Sequence, residues 1–392
     1  MRLLYVADGR SPIALAWVDY FAERGHEVHL VSTRPCAPRV RLASLRILPV
    51  GPGPRRPPGG SAARSPWKLS LLTAVRHWLG PLAVRRAAPA LARVVAELRP
   101  DLVHALRIPF EGMLAASAGP RAPLLLSVWG NDFTLHAVST PWMRAATQRA
   151  LARADALHAD CRRDLRLAST WGLRPGRPTM LLPGNGGVRR ELFRPADPRH
   201  PERRQMLPGW TSASGLILNP RGFRAYVRTD TFFRALPRVL QAVPGADVAG
   251  VAMADDAVAS RWVARLGLQA RVRLLPEQEA TGMAALFRAA HVSVSPSVHD
   301  GTPNTLLEAM ACGCLPVAGD LESIREWIVD GENGLLVDPG SPEAVAGAIV
   351  RGLKDDPWRA AAVRRNLQIV EERADFSDGM KRAEAFYREL AS

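Results

Sequence analysis

One stretch leaves this chain little freedom. His291 to Asp320, HVSVSPSVHDGTPNTLLEAMACGCLPVAGD, demands a strand, a turn, a helix start and a second strand within 30 residues. Val292 and Val294 alternate with Ser293 and Ser295 up to Pro296, which predicts a short strand ending at a breaker. Thr302 is a good N-cap, Pro303 suits the first helical position, and Gly313 predicts the helix end. A helix starting there turns its free amides toward the loop Ser297 to Thr302, and such an end suits a phosphate or another anion. Glu308 is set among Leu306, Leu307, Ala309 and Met310. A carboxylate buried there needs a partner. Two partners fit: an arginine in a buried salt bridge, or the paired hydroxyls of a sugar or ribose.

The segment Asp300-Gly-Thr-Pro-Asn-Thr-Leu-Leu-Glu308-Ala-Met-Ala-Cys-Gly, followed by Leu315-Pro-Val and Gly331-Glu-Asn-Gly-Leu-Leu-Val, resembles the donor-nucleotide loop of retaining glycosyltransferases of family 4. That resemblance implies an α/β protein of the GT-B fold, two Rossmann-like domains with mostly parallel sheets facing a cleft. It implies transfer of a sugar from a nucleotide diphosphate sugar to a hydroxyl of a glycan, lipid or small molecule, with retention. Glu308 is then the ribose contact and Asp300, where the family usually has Glu, the contact to the transferred sugar. Gly301, Thr302 and the amides of Asn304 and Thr305 fall beside the diphosphate. Arg221, just after the strand Leu216 to Leu218, matches a family arginine that holds the diphosphate. The family's following lysine is missing, so Arg228 or Arg224 is expected in its place. Gly9 faces the sugar phosphate by resemblance, with an ordinary tight turn as the other reading, and Glu277 lies near the base by resemblance.

Asp132, in the loop Trp129-Gly-Asn-Asp132 after the strand Leu124 to Val128, has two readings: a contact to the transferred sugar or acceptor hydroxyl, and an Asx turn or cap. Trp129 stands where many family members have histidine. His104 matches another frequent family histidine, with a core residue as the other reading. Asp300, Asp132 and Arg221 form the expected catalytic set. The leaving phosphate can take the acceptor's proton, so no dedicated base is required; a helix N-terminus at Thr302 and one or two arginines supply the positive charge a divalent ion would bring, so no metal is expected, and no cofactor. Asp255-Asp256 reads as a solvated loop, and no D-x-D pair stands beside a strand. Two rivals remain open, a nucleotide-sugar epimerase on the same fold and a non-catalytic sugar-nucleotide-binding or partner module. A pyridoxal phosphate phosphorylase is disfavoured because the three lysines lie outside the motif segments.

With 392 residues, two domains are expected. The first is 1–195 and the second 209–376, joined by the proline- and charge-rich Pro195 to Pro208. A last helix from Ser377 to Leu390 is expected to return to the first domain. A βαβ start is read as strand Met1 to Ala7, turn Asp8 to Pro12, helix Ile13 to Arg24 and strand Val28 to Ser32. A helix at Leu91 to Leu98 and strands at Leu102 to Ala105, Leu124 to Val128 and Ala154 to Ala159 follow. Further on come strands at Val248 to Ala252, Val272 to Leu275, Val292 to Ser295 and Leu315 to Ala318. Cys36, Cys161, Cys312 and Cys314 lack metal-ligand spacing and read as reduced thiols.

The net charge of +15 comes from 52 basic residues of which only Lys68, Lys354 and Lys381 are lysine. That bias points to the base composition of the coding DNA, and without an aromatic-basic motif nucleic acid is not expected. The stretch from Arg55 to Arg86 interleaves basic residues with Trp67, Leu71, Leu72, Val75, Trp78 and Leu79. It reads as a solvated helix face or as an amphipathic helix on an anionic bilayer. No basic-then-apolar leader and no apolar run of ~18 residues is seen, which predicts a cytoplasmic protein with at most a peripheral place at the inner membrane face.

Overall fold

The computed structural model describes residues 1–50, 66–196 and 214–392, with side chains from residue 74 onward in the helix Pro66–Leu98. Most of the expected linker, and the Arg55 to Arg64 end of the basic stretch, therefore lie outside the described residues. Two compact units are present, 1–186 together with 377–392, and 187–376. Among the described residues no helix is long and apolar enough to cross a membrane.

The first unit is built on a parallel sheet of β1 (Arg2–Ala7), β2 (Glu27–Ser32), β3 (Ser44–Ile47), β4 (Leu102–Ala105), β5 (Leu124–Val128), β6 (Ala156–Ala159) and β7 (Thr179–Leu181), in the order β3-β2-β1-β4-β5-β6-β7. Its central strands are buried on both faces, so they read as continuous apolar runs. The edge strands β3 and β7 are short and partly exposed, and the sequence pattern does not reveal them. The segment Leu91 to Leu98 is only the end of a 33-residue helix, Pro66–Leu98, which runs through Pro81 and Pro89. Prolines read as breakers in a sequence, but here packing overrides them: Val84, Ala88, Leu91 and Val95, at helical spacing, are all buried in the core of the unit.

The terminal helix, Phe376–Ala391, packs in this unit through Tyr387. The Tyr387 ring stacks on Phe21 with centroids 4.5 Å apart. Its hydroxyl meets His104 Nδ1, and His104 Nε2 lies 2.7 Å from Ser127 Oγ. Ser127 Oγ is in turn 2.8 Å from His158 Nδ1, whose Nε2 donates to the carbonyl of Leu182 at 3.0 Å. Burial holds the imidazole of His104 well below its ordinary range and brings His158 to about 4. His104 is thus a satisfied core residue.

The second unit carries β8 (Leu216–Asn219), β9 (Asp247–Gly250), β10 (Val272–Leu274), β11 (Val292–Ser295), β12 (Leu315–Gly319) and β13 (Leu335–Val337), all parallel, in the order β10-β9-β8-β11-β12-β13. The turn before β13, Gly331-Glu-Asn-Gly, is locked by buried Asn333. That side chain accepts from the amide of Val329 at 2.7 Å and donates to the carbonyl of Trp327 at 2.9 Å and to Asn366 Oδ1 at 2.8 Å.

Replacing Tyr387 with alanine removes a stacked, fully buried ring. Tyr387→Ala is expected to lower the unfolding free energy by roughly 3–5 kcal/mol, read from urea denaturation. A loss below about 1 kcal/mol contradicts this docking of the terminal helix.

Candidate functional site

In each sheet the strand order reverses beside the first strand of the unit, between β1 and β4 and between β8 and β11. Parallel sheets bind ligands at the carboxyl edge next to such a reversal. In the second unit that edge is occupied by two segments, Asn219 to Arg228 after β8 and Ser297 to Pro303 after β11.

Arg221 ties the two together. It grips both oxygens of Asp300, donates from NH2 to Oδ1 at 3.1 Å, and reaches Ser297 Oγ at 3.2 Å. Burial works against the guanidinium charge, but the Asp300 carboxylate more than offsets it and raises the Arg221 pKa. Three further bonds fix the loop: the Val298 amide to the Tyr226 carbonyl at 2.9 Å, Ser323 Oγ to the Asp300 carbonyl at 2.7 Å, and Trp327 Nε1 to Thr302 Oγ1 at 2.9 Å. Thr302 therefore does not cap the helix. The helix is Asn304–Ala311, its N-cap is Pro303, and no side chain caps it. The indole of Trp327 has taken the hydroxyl instead, which leaves the first-turn amides without a side-chain acceptor. Gly313, at φ 77°, terminates the helix in the left-handed region. A small pocket here is lined by Pro220, Ser295, Ser297, Asp300, Thr305 and Gly319, among others.

Asn304 and Glu308 are four residues apart and share one helix face. Among the described residues the Oδ1 of Asn304 is buried without a hydrogen-bond partner, and neither a cation nor a donor meets the Glu308 carboxylate. Burial alone pushes the Glu308 pKa up to about 7. The buried salt bridge, one of the two partners open from sequence, is absent among the described residues. Asn219, at the end of β8, likewise keeps a buried Nδ2 without a partner.

The remaining donor-side candidates are dispersed. Arg228, at φ 53°, pairs with Asp230, Nε to Oδ1 at 3.1 Å, while Arg224 NH1 donates to the Tyr226 hydroxyl at 3.1 Å. Glu277 is exposed and Gly301 is buried. Asp256 caps the following helix by accepting from the amides of Val258 at 2.8 Å and Ala259 at 2.9 Å.

At the carboxyl edge of the first sheet, Asp132 is enclosed. It accepts from Arg107 Nε at 2.9 Å and from the amides of Ile108 and Trp129, each at 3.2 Å. Burial raises its pKa and Arg107 pulls it back down. Gly9 donates its amide to Ser32 Oγ at 3.0 Å, and a Cβ there would overlap Cys36 Sγ and Ser32 Oγ, so close packing under its own sheet edge requires glycine. The sequence reading missed Arg34, Arg76, Arg107 and Glu111, which gather at this edge. Position was a signal for two of them, Arg34 and Arg107, each two residues past the end of β2 or β4, though in an arginine-rich chain it does not single them out. Asp160, Cys161 and Asp164 bring ligand-type atoms within 4.8 Å of one another. Arg163 donates to Asp164 Oδ1 at 2.9 Å and burial pushes the Cys161 thiol far up, so the group fits an ion pair better than a cation site.

Residues 222–355 match the family model described as glycosyl transferases group 1, and residues 2–160 match that described as glycosyl transferase 4-like. The chain belongs to this glycosyltransferase family. D-inositol 3-phosphate glycosyltransferase 1 of Catenulispora acidiphila is 26% identical over 97% of this chain and 91% of its own length. O-antigen chain mannosyltransferase B of Escherichia coli is 34% identical over 28% of this chain. Three of the curated relatives, this mannosyltransferase and two D-inositol 3-phosphate glycosyltransferases, are matched over about half of their length or less. Among solved structures, sucrose-phosphate synthase from Thermosynechococcus elongatus superposes with TM-score 0.78 at 19% identity, covering 99% of this chain and 98% of that one. HepE from Anabaena, in complex with UDP and glucose, superposes with TM-score 0.76 at 17% identity, covering 98% of this chain and 99% of that one. The fold is that of these glycosyltransferases, GT-B.

Glu308 gives the family member a pH signature. Its folded pKa lies near 7 against an ordinary value of 4.5, so the native state binds the proton more tightly than the unfolded chain does. Stability should therefore fall as pH rises from about 5 to about 7 and level off above, a slope that Glu308→Gln removes. Urea midpoints of both proteins across that range test this, and identical profiles contradict it.

Proposed function

We propose that the protein transfers a sugar from a nucleotide diphosphate sugar to a hydroxyl acceptor, with the donor at the carboxyl edge of the second unit's sheet. One observation carries the reading: Asn304 and Glu308 present, on one helix face, oxygen atoms for which the described residues supply no donor. A ribose offers neighbouring hydroxyls that donate to both. Names of similar proteins, a D-inositol 3-phosphate glycosyltransferase and a protein bound to UDP and glucose, support the reaction class.

In this reading Glu308 holds the ribose. The diphosphate lies against the amides of Asn304 and Thr305 beside Gly301, with Arg221 and the charges of Arg228 and Arg224 toward its oxygens. Thr302 serves by holding the loop to Trp327. Asp300 takes two roles, orienting Arg221 and facing the transferred sugar. Glu277 lies toward the base. On the first unit Asp132 acts through Arg107, since its own carboxylate is enclosed. The leaving diphosphate oxygen accepts the acceptor's proton, and transfer proceeds with retention. Helix amides and arginines supply the positive charge a divalent ion brings elsewhere, so no metal is required.

Binding and turnover test this together, beginning with UDP-glucose. Arg221→Ala should weaken a nucleoside diphosphate by roughly 1.5–3 kcal/mol and the free nucleoside far less, because a charged hydrogen bond is lost. Equal losses contradict the role of Arg221. Donor turnover should persist after exhaustive chelation; activity that vanishes with EDTA and returns with Mn²⁺ contradicts the metal-free account. Release of an epimer from donor alone would favour the epimerase instead.

We propose in addition a peripheral contact with an anionic membrane. Five of the eight large apolar side chains exposed among the described residues are Trp78, Leu79, Leu82, Val138 and Trp142. The helices bearing most of them adjoin, since Thr140 Oγ1 donates to the His77 carbonyl at 3.4 Å. Exposed Arg85, Arg86 and Arg149 continue the same two helix faces. Trp78→Ala with Trp142→Ala should abolish co-sedimentation with phosphatidylglycerol vesicles, and unchanged co-sedimentation contradicts this surface.

A further inference from the structure

The carboxyl edge of the first sheet collects more guanidinium charge than its carboxylates meet. Asp8 pairs with Arg10, Nε to Oδ1 at 3.0 Å and NH2 to Oδ2 at 2.8 Å. Arg107 is taken by Asp132 and also donates to Asn131 Oδ1 at 2.9 Å. Glu111 is buried and accepts from Thr33 Oγ1 at 2.5 Å. Its pKa is raised, first by burial, against the pull of Thr33, Arg107 and Arg76. Arg34 and Arg76 are left over.

Arg34 is only 7% exposed, immediately after β2, and its Nε is buried with no hydrogen-bond partner among the described residues. Arg76 arrives from the long helix Pro66–Leu98, with its guanidinium carbon 4.2 Å above the centroid of the Phe110 ring, and its Nε is buried and unpartnered in the same sense. Phe110 holds φ 71°, an uncommon conformation for a bulky residue, in the turn that also carries Glu111. Burial depresses the Arg76 pKa; the carboxylates of Glu111 and Asp8 pull it back up, while the like charges of Arg34 and Arg107 push it down. A desolvated cation short of a counter-charge is costly unless something supplies one. Residues 51–65, which lead into the helix of Arg76, contain no Asp or Glu.

We propose that Arg34 and Arg76 form an anion subsite on the first unit, which takes a phosphate or carboxylate carried by the acceptor. The inference rests on the sugar-transfer reading and narrows it: the acceptor is an anionic molecule rather than a neutral glycan end. Two planar guanidiniums suit a tetrahedral phosphate, since each can donate through a pair of N–H groups. The cation held over Phe110 keeps one face for the ligand.

Calorimetry on the full chain tests the subsite with glucose 6-phosphate, glucose and a short-chain phosphatidic acid below its micelle concentration. Glucose 6-phosphate should bind at least roughly tenfold tighter than glucose, with an affinity that falls as salt rises, and Arg34→Gln and Arg76→Gln should each erase that advantage. Phosphatidic acid binding tighter than glucose 6-phosphate, and lost in both variants, assigns the anion to a lipid headgroup; the opposite ranking assigns it to a soluble phosphate. Equal binding of glucose and glucose 6-phosphate, or an unchanged preference in both variants, overturns the proposal. Should Arg34→Gln fail to fold, Arg76→Gln and the salt dependence decide alone. Binding of UDP, measured separately on the unsubstituted protein, reports on the donor reading, so the two can fail independently.

Discussion

A guanidinium enclosed at the edge of a parallel sheet has to be answered by a carboxylate, and in the second unit Arg221 and Asp300 answer each other. The pair spans two loops from neighbouring strands, β8 and β11, and fixes where the helix Asn304–Ala311 begins. Asp300 is held on its backbone side by Ser323, and Thr302 by Trp327. The helix launched from this loop carries Asn304 and Glu308 on one face, where among the described residues no donor meets Asn304 Oδ1 or the Glu308 carboxylate.

The same logic, applied with less symmetry, organises the first unit. Asp132 is fully satisfied by Arg107 and two backbone amides, so it stabilises the edge of the sheet while Arg34 and Arg76 remain short of counter-charge. Buried polar groups are nearly always paired in folded proteins, which makes the exceptions informative. Four such atoms, on Arg34, Arg76, Asn219 and Asn304, fall toward the carboxyl edges of the two sheets, where parallel sheets take ligands.

Much of this was legible in the sequence. The central strands were, because burial on both faces writes them as apolar runs, and so was the strand–loop–helix around Asp300 and Glu308. Strands β3 and β7 were not, since a short, partly exposed edge strand lacks a clear period. The long helix was hidden by Pro81 and Pro89, whose cost is met by tertiary packing of Val84, Ala88, Leu91 and Val95. Thr302 was legible as a hydroxyl at a helix start but not as an acceptor for Trp327, because that bond joins residues 25 positions apart. For the same reason sequence spacing could name Arg221 and Asp300 singly, yet not as a pair. Arg34 and Arg76 were lost in an arginine-rich background, where no single arginine stands out until its partners are counted.

The central claim is that a nucleotide sugar binds where Asn304 and Glu308 lack partners. Hydrogen exchange read by mass spectrometry, with and without saturating UDP-glucose, tests it most directly, since amides gain protection where a ligand satisfies and orders them. The account predicts protection concentrated in the peptides covering 219–228 and 297–308. Unchanged exchange in those peptides, with protection appearing elsewhere in the chain, would contradict it.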